Sequence, residues 1–237
     1  MPGESLVSDG DPPPSGTAAW YVREAPLSHG RWQVRCHLDD RHPDGTIVAD
    51  PGPTGDLFTL WHAHLDDAGR SVVDLAPGVR PGAPDIWLVA LPQREPSPDG
   101  DRNGDRATLT LVAFASDHRP PGTIVSDAEF FHMPVPNDAQ IGAIRWWPEE
   151  AVVDQVYVAD EWRRLHVATI LIYTASAFHQ HQGWPGRLHS DGRRTRLGVS
   201  LVTGLRHPDR IAPLHQLLAP MERAQPPDDT DGVGPSA

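Results

Sequence analysis

The chain contains no lysine, and all 20 of its basic residues are arginine. Schiff-base catalysis and a P-loop lysine are therefore excluded. Cysteine is almost as scarce. Cys36 stands alone, which rules out an intrachain disulfide framework and a cysteine-built zinc cluster. No apolar run reaches the roughly 18 residues that a membrane-spanning helix needs, so no membrane association is expected. The N-terminal MPGESLVSDGDPPPSG has no basic segment followed by an apolar one. No signal peptide is expected, and the expected location is cytoplasmic. Asparagine occurs only at Asn103 and Asn137. With the missing lysine, this bias marks a GC-rich coding sequence rather than a chemistry. The patterns G-x-S-x-G, G-x-G-x-x-G and G-x-x-x-x-G-K-[ST] are all absent, which leaves no signal for a hydrolase elbow, a Rossmann turn or a P-loop.

What is present fits one core of ordinary size. The 237 residues are 38% hydrophobic and include 8 tryptophans, but also 26 prolines and 21 glycines. Acidic residues number 32 against 20 basic, for a net charge of −12. That balance argues against a general nucleic-acid coat or a basic membrane-surface protein. Residues 1–16 and 222–237 read as disordered tails, polar and rich in Pro, Gly and Asp. The expected folded domain is a single one over 17–221, with a β-rich half over 17–139 and a second half over 140–221. Stretches 39–56 and 92–106 read as long surface loops.

Extended runs are expected at 18–23, 32–38, 57–64, 86–91, 107–115, 140–147 and 152–158. In ATLTLVAFA, Leu109, Leu111 and Ala113 alternate with Thr108, Thr110, Val112 and Phe114, as in a strand covered on both faces. The character changes after Val158. Residues 161–182 run without Gly or Pro, behind Asp160 as N-cap and ahead of Gly183 and Pro185. Ala168, Leu171, Ile172 and Ala175 supply helical spacing there. A short strand near 187–189 and a helix over 194–205 should follow. The expected fold class is α+β, with a mixed, mostly antiparallel sheet.

Charge is segregated along the chain. Residues 163–210 hold eight arginines and two aspartates inside an otherwise acidic protein. A strand ending at Val158, a short turn and an arginine-rich helix start make a strand–loop–helix anion site. The free N–H groups of a helix's first turn, beside Arg163 and Arg164, suit a pyrophosphate.

The segment over residues 151–198 resembles the GNAT superfamily of acyl-CoA transferases, in a divergent, actinobacterial-type form. The motif there is Arg/Gln-x-x-Gly-x-Gly/Ala, and Arg163-Arg164-Leu165-His166-Val167-Ala168 matches its first and last positions. His166 replaces the motif's glycine. The two helices that normally follow the family's first strand have no counterpart upstream. The resemblance implies a GNAT-like strand–helix–strand–helix C-terminal half that binds acetyl-CoA or another acyl-CoA. Pantetheine would lie along Val156, Tyr157 and Val158, and the pyrophosphate on Arg163, Arg164, Leu165, His166, Val167, Ala168 and Thr169. The implied reaction is direct attack of a small-molecule amine on the thioester, in specialised metabolism. Asp154, two residues before Val156 and on the same face, is the candidate base, with Glu149 and Glu150 just ahead of the strand. Ser200 is the candidate acid, with Ser190 and Thr195 the other nearby hydroxyls. Two rival implications are a transferase drawing on aminoacyl-tRNA or an acyl-carrier protein, and a catalytically silent binding protein. A homodimer is compatible with each.

Thirteen histidines raise the question of a metal. His62 and His64 sit at i, i+2 on an expected strand, so both rings face one side. His179 and His181 lie about 200° apart on a helix and cannot share one ion. The sequence offers no third ligand beside the WHAH pair, so it is read as partly buried or surface histidines and no metal is assigned.

Overall fold

The computed structural model describes residues 18–50, 52, 57–79, 82–95, 106–136, 139–194, 196–203 and 216–217. The expected tails, 1–16 and 222–237, lie outside the described residues.

Eleven strands form one sheet. They are β1 (Ala18–Pro26), β2 (Trp32–Asp39), β3 (Ile47–Val48), β4 (Phe58–Leu65), β5 (Ser71–Leu75), β6 (Trp87–Glu95), β7 (Arg106–Phe114), β8 (Thr123–Ser126), β9 (Gln140–Trp147), β10 (Val152–Val158) and β11 (His189–Ser190). Their order is β11-β10-β9-β7-β6-β8-β5-β4-β2-β1-β3. Pairing is antiparallel except at β1–β3, β6–β8 and β10–β11. The α+β class with a mixed, mostly antiparallel sheet is as expected. All seven expected runs are strands, and β3, β5 and β8 are additions that the sequence pattern did not mark, β3 falling inside the stretch 39–56 read as a surface loop. A separate parallel pair joins β12 (Arg193–Arg194) to β13 (Gln216–Leu217). The helices are α1 (Asp127–Phe130), α2 (Val167–His181) and α3 (Arg196–Thr203).

Helix α2 organises the core. Val167, Ile170, Leu171, Thr174, Ala175 and Phe178 are buried at helical spacing. Its start packs by Gly142 of β9, where a Cβ would lie 3.2 Å from the Leu171 side chain. Its end reaches β2, where His181 Nδ1 bonds the Trp32 carbonyl at 2.6 Å. A 15-residue helix is about 22 Å long, whereas β10 and β2 stand seven strand spacings apart, about 33 Å in a flat sheet. The sheet therefore curls around α2, which touches β2, β4 and β5 as well as β7, β9 and β10.

Strand β7 is covered on both faces, as its alternation predicted. Leu109, Leu111 and Ala113 belong to the core under α2. Val112 and Phe114 belong to a second cluster on the opposite face, where Trp87 stacks on Phe114 at 4.9 Å and Phe130 of α1 closes the group.

The helix begins later than the sequence suggested. Asp160–Trp162 is a single 3-10 turn, a further turn follows, and α2 starts at Val167 rather than at residue 161. Trp162 packs against the main core, and the chain then reverses through left-handed Arg164 (φ 65°) and His166 (φ 58°) before the helix can propagate. The C-terminal end is as expected: Gly183 follows, with φ 73°.

Candidate functional site

Two places bring chemical groups together. The first is the junction of β10 and α2. Strands β10 and β11 run parallel but pair only at Val152–His189 and Val153–Ser190. Among the described residues no strand continues that ladder beside Val156–Val158. The Val156 and Val158 side chains pack on the main core, so their contribution to a ligand would come from the backbone. Tyr157 is half-buried opposite Ala143.

At the turn, Arg163, Arg164, Leu165 and His166 are all exposed. Arg163 pairs with Asp160 at 2.7 Å and reaches the Val158 carbonyl at 3.3 Å. The His166 side chain makes no capping bond, and the Ile170 N–H donates to the His166 carbonyl at 3.0 Å. The N–H groups of Val167, Ala168 and Thr169 thus lie ahead of the helical ladder, in the position that attracts anions. His166 holds the left-handed backbone that glycine adopts without strain.

The candidate acid and base lie elsewhere. The β9–β10 ladder shifts register between Val153 and Gln155, so Asp154 is the extra residue of a bulge. Gln155 therefore faces Arg145, and Val156 faces Ile144. Asp154 bonds the Arg145 side chain and does not share a face with Val156, contrary to the simple alternation. Ser200 is exposed on α3, which packs against β12, and its hydroxyl donates to the Arg196 carbonyl of its own helix at 3.2 Å.

An open depression of about 620 Å³ lies beside the junction, with Trp162, Asp85, Ser116, Asp117, His118 and Arg119 among its lining residues. Ser116 Oγ accepts from Trp87 Nε1 at 3.0 Å and stands 3.0 Å from His118 Nδ1. With the indole as donor, the hydroxyl proton is free to point at His118, which then carries its own proton on Nε2. Arg119 is held by Glu129 at 2.8 Å. The sequence did not mark this Ser–x–His pair. Trp146, by contrast, is fully buried against Trp184.

The second place is the face of β4 and β5 away from α2. Ala63 and Val73 point into the main core, so their neighbours His62, His64 and Asp74 point outward. His62 and His64 stack at 4.7 Å. Asp74, opposite His62 in the hairpin, brings Oδ2 to 4.0 Å from His62 Nδ1 and 3.5 Å from His64 Nδ1. His62 Nε2 faces Glu24 Oε2 at 3.4 Å and stands 3.1 Å from Gln33 Nε2. Burial alone would raise the Glu24 carboxyl, but the bonded Arg35 guanidinium holds it below its ordinary value. Burial, then Arg35, pushes the His62 imidazole down.

The helix histidines have separate partners: His179 Nε2 meets the Pro185 carbonyl at 2.9 Å, and His181 Nδ1 that of Trp32. No helix among the described residues is long and apolar enough to cross a membrane. No family model, curated protein or solved structure matches this chain.

Proposed function

We propose that the protein is an acyl-CoA-dependent N-acyltransferase acting on a small-molecule amine. The observation that carries this reading is the β10–turn–α2–β11 unit: a parallel strand pair whose ladder stops at Val153, joined through a helix with uncapped N–H groups and exposed arginines. This unit supports the strand–helix–strand reading that the sequence motif suggests.

In this reading the donor pyrophosphate sits on the N–H groups of Val167, Ala168 and Thr169, flanked by Arg163, Arg164, Leu165 and His166. Pantetheine follows the backbone of Val156–Val158 and delivers the thioester toward the depression beside Trp162. The amine binds there and attacks the carbonyl carbon. A C–N bond forms, the C–S bond breaks, and the proton that the nitrogen loses passes to Ser116 Oγ as the hydroxyl's own proton moves to His118 Nδ1. Asp154, engaged by Arg145, holds the bulge near the start of β10, and the departing thiolate takes its proton from water.

The test is ligand-dependent stability. Acetyl-CoA should raise the melting temperature with concentration, and Arg163→Ala/Arg164→Ala should abolish the rise while leaving the unliganded melting point nearly unchanged. A shift with aminoacyl-tRNA or acyl-carrier protein but none with any acyl-CoA would assign the donor to those classes. Binding without thiol release from any amine offered would mark a silent binding protein.

A further inference from the structure

We propose that His62, His64 and Asp74 form a site for a divalent transition-metal ion of the zinc class, with one coordination position open to solvent. The site is independent of the acyl-transfer reading and lies on different strands.

Three observations carry the proposal. First, two imidazole nitrogens converge on one carboxylate oxygen at 4.0 and 3.5 Å. These separations exceed ordinary hydrogen bonds of about 2.7–3.2 Å. They approach the spacing of about 3.3 Å between ligand atoms that lie 2.0–2.1 Å from a tetrahedral zinc ion. Second, His64 Nδ1 is buried with no hydrogen-bond partner, which an ion between it and Asp74 would satisfy. Third, His62 has its supporting partner in place. Nε2 lies 3.4 Å from Glu24, which Arg35 fixes at 2.7 Å and Gln33 at 2.8 Å, and an ion on Nδ1 would place the ring proton on Nε2, facing that carboxylate. A carboxylate behind a metal-binding histidine orients the ring and raises its basicity.

Two imidazoles and a carboxylate with no thiolate suit zinc, copper, nickel or cobalt rather than magnesium or calcium. The Asp74 side chain is 60% exposed, so the remaining position faces water. Three protein ligands with an open position make a Lewis-acid site rather than a closed structural one.

The experiment uses the full chain, free of any histidine tag and stripped by chelator, titrated with Zn2+ by calorimetry and with Co2+ by visible spectroscopy. One equivalent of Zn2+ should bind, and Co2+ should give the intense visible bands of a tetrahedral site. His64→Ala and Asp74→Asn should each weaken Zn2+ binding by more than about 100-fold and erase those bands, and Glu24→Gln should weaken binding about 10–100-fold. Asp74 is exposed, so its amide variant keeps the fold, which melting without metal checks. Arg163→Ala/Arg164→Ala should bind Zn2+ unchanged, which separates this site from the donor site. Failure of the chain to bind Zn2+, or equal affinity in His64→Ala and Asp74→Asn, overturns the proposal.

Discussion

Arg145 donates two hydrogen bonds to a single oxygen of Asp154, from Nε at 2.8 Å and from Nη2 at 2.5 Å. The pair clamps β9 to β10 where the bulge interrupts their ladder. Its partial burial gives it more weight than an exposed surface pair, which is worth about 0–1 kcal/mol. Asp154→Asn should lower stability by about 1–3 kcal/mol, because a charged donor loses its acceptor. Denaturant unfolding measures the loss. Thiol release per folded molecule should stay near the parent rate, and a collapse of that rate with stability intact would restore Asp154 as the base.

At His166 the backbone is left-handed, at φ 58° and ψ 11°. That conformation costs a non-glycine residue about 1–2 kcal/mol. His166→Gly should therefore stabilise the unliganded protein by about 1 kcal/mol, whereas His166→Ala keeps the strain and should not. Comparing the two melting points isolates the backbone effect from loss of the ring.

Gly183 ends α2 against the turn at Gly30. A Cβ there would lie 2.5 Å from the Gly30 carbonyl oxygen, and φ is 73°. Gly183→Ala combines a clash with backbone and an unfavourable φ, so it should cost more than about 2 kcal/mol. Gly69, with φ 77° and open space around its Cβ position, should tolerate alanine at the strain cost alone, about 1 kcal/mol. Urea midpoints of the two variants give the comparison.

His37 and His181 are almost fully buried, and burial holds each imidazole down at about 4. Their pKa is lower folded than unfolded, so as pH falls below about 6.5 the unfolded chain binds protons that the native state refuses. Both are neutral above that point and impose no cost. Between about pH 6.5 and 4, each should remove about 1.4 kcal/mol of stability per pH unit. Urea unfolding at pH 7, 6 and 5 should show that slope, and His181→Gln should reduce it by about half. A flat profile over this window would mean that these rings accept protons without unfolding.

Local sequence determined much of this protein. The run 167–181 has no Gly or Pro and buries residues at helical spacing, so α2 forms wherever it packs. The two-sided strand at 107–115 was legible because both alternating sets are apolar enough to be buried. That His62 and His64 share a face follows from the period of a strand alone. The third group at that face did not follow. Asp74 arrives through the hairpin closed by Asp66, which accepts from the N–H groups of Ala68 and Arg70 and thereby sets His62 opposite Asp74. One residue more or fewer in that turn would swing Asp74 to the core face. The same dependence on pairing moved Asp154, since a single bulge reverses the parity that counting along the chain assigns. It also delayed α2, because Trp162 packs on the core before the chain turns into the helix. Periodicity belongs to neighbours in sequence and is written there; register, bulges and the meeting of side chains from different strands depend on hydrogen bonds between distant segments, and only the folded sheet decides them.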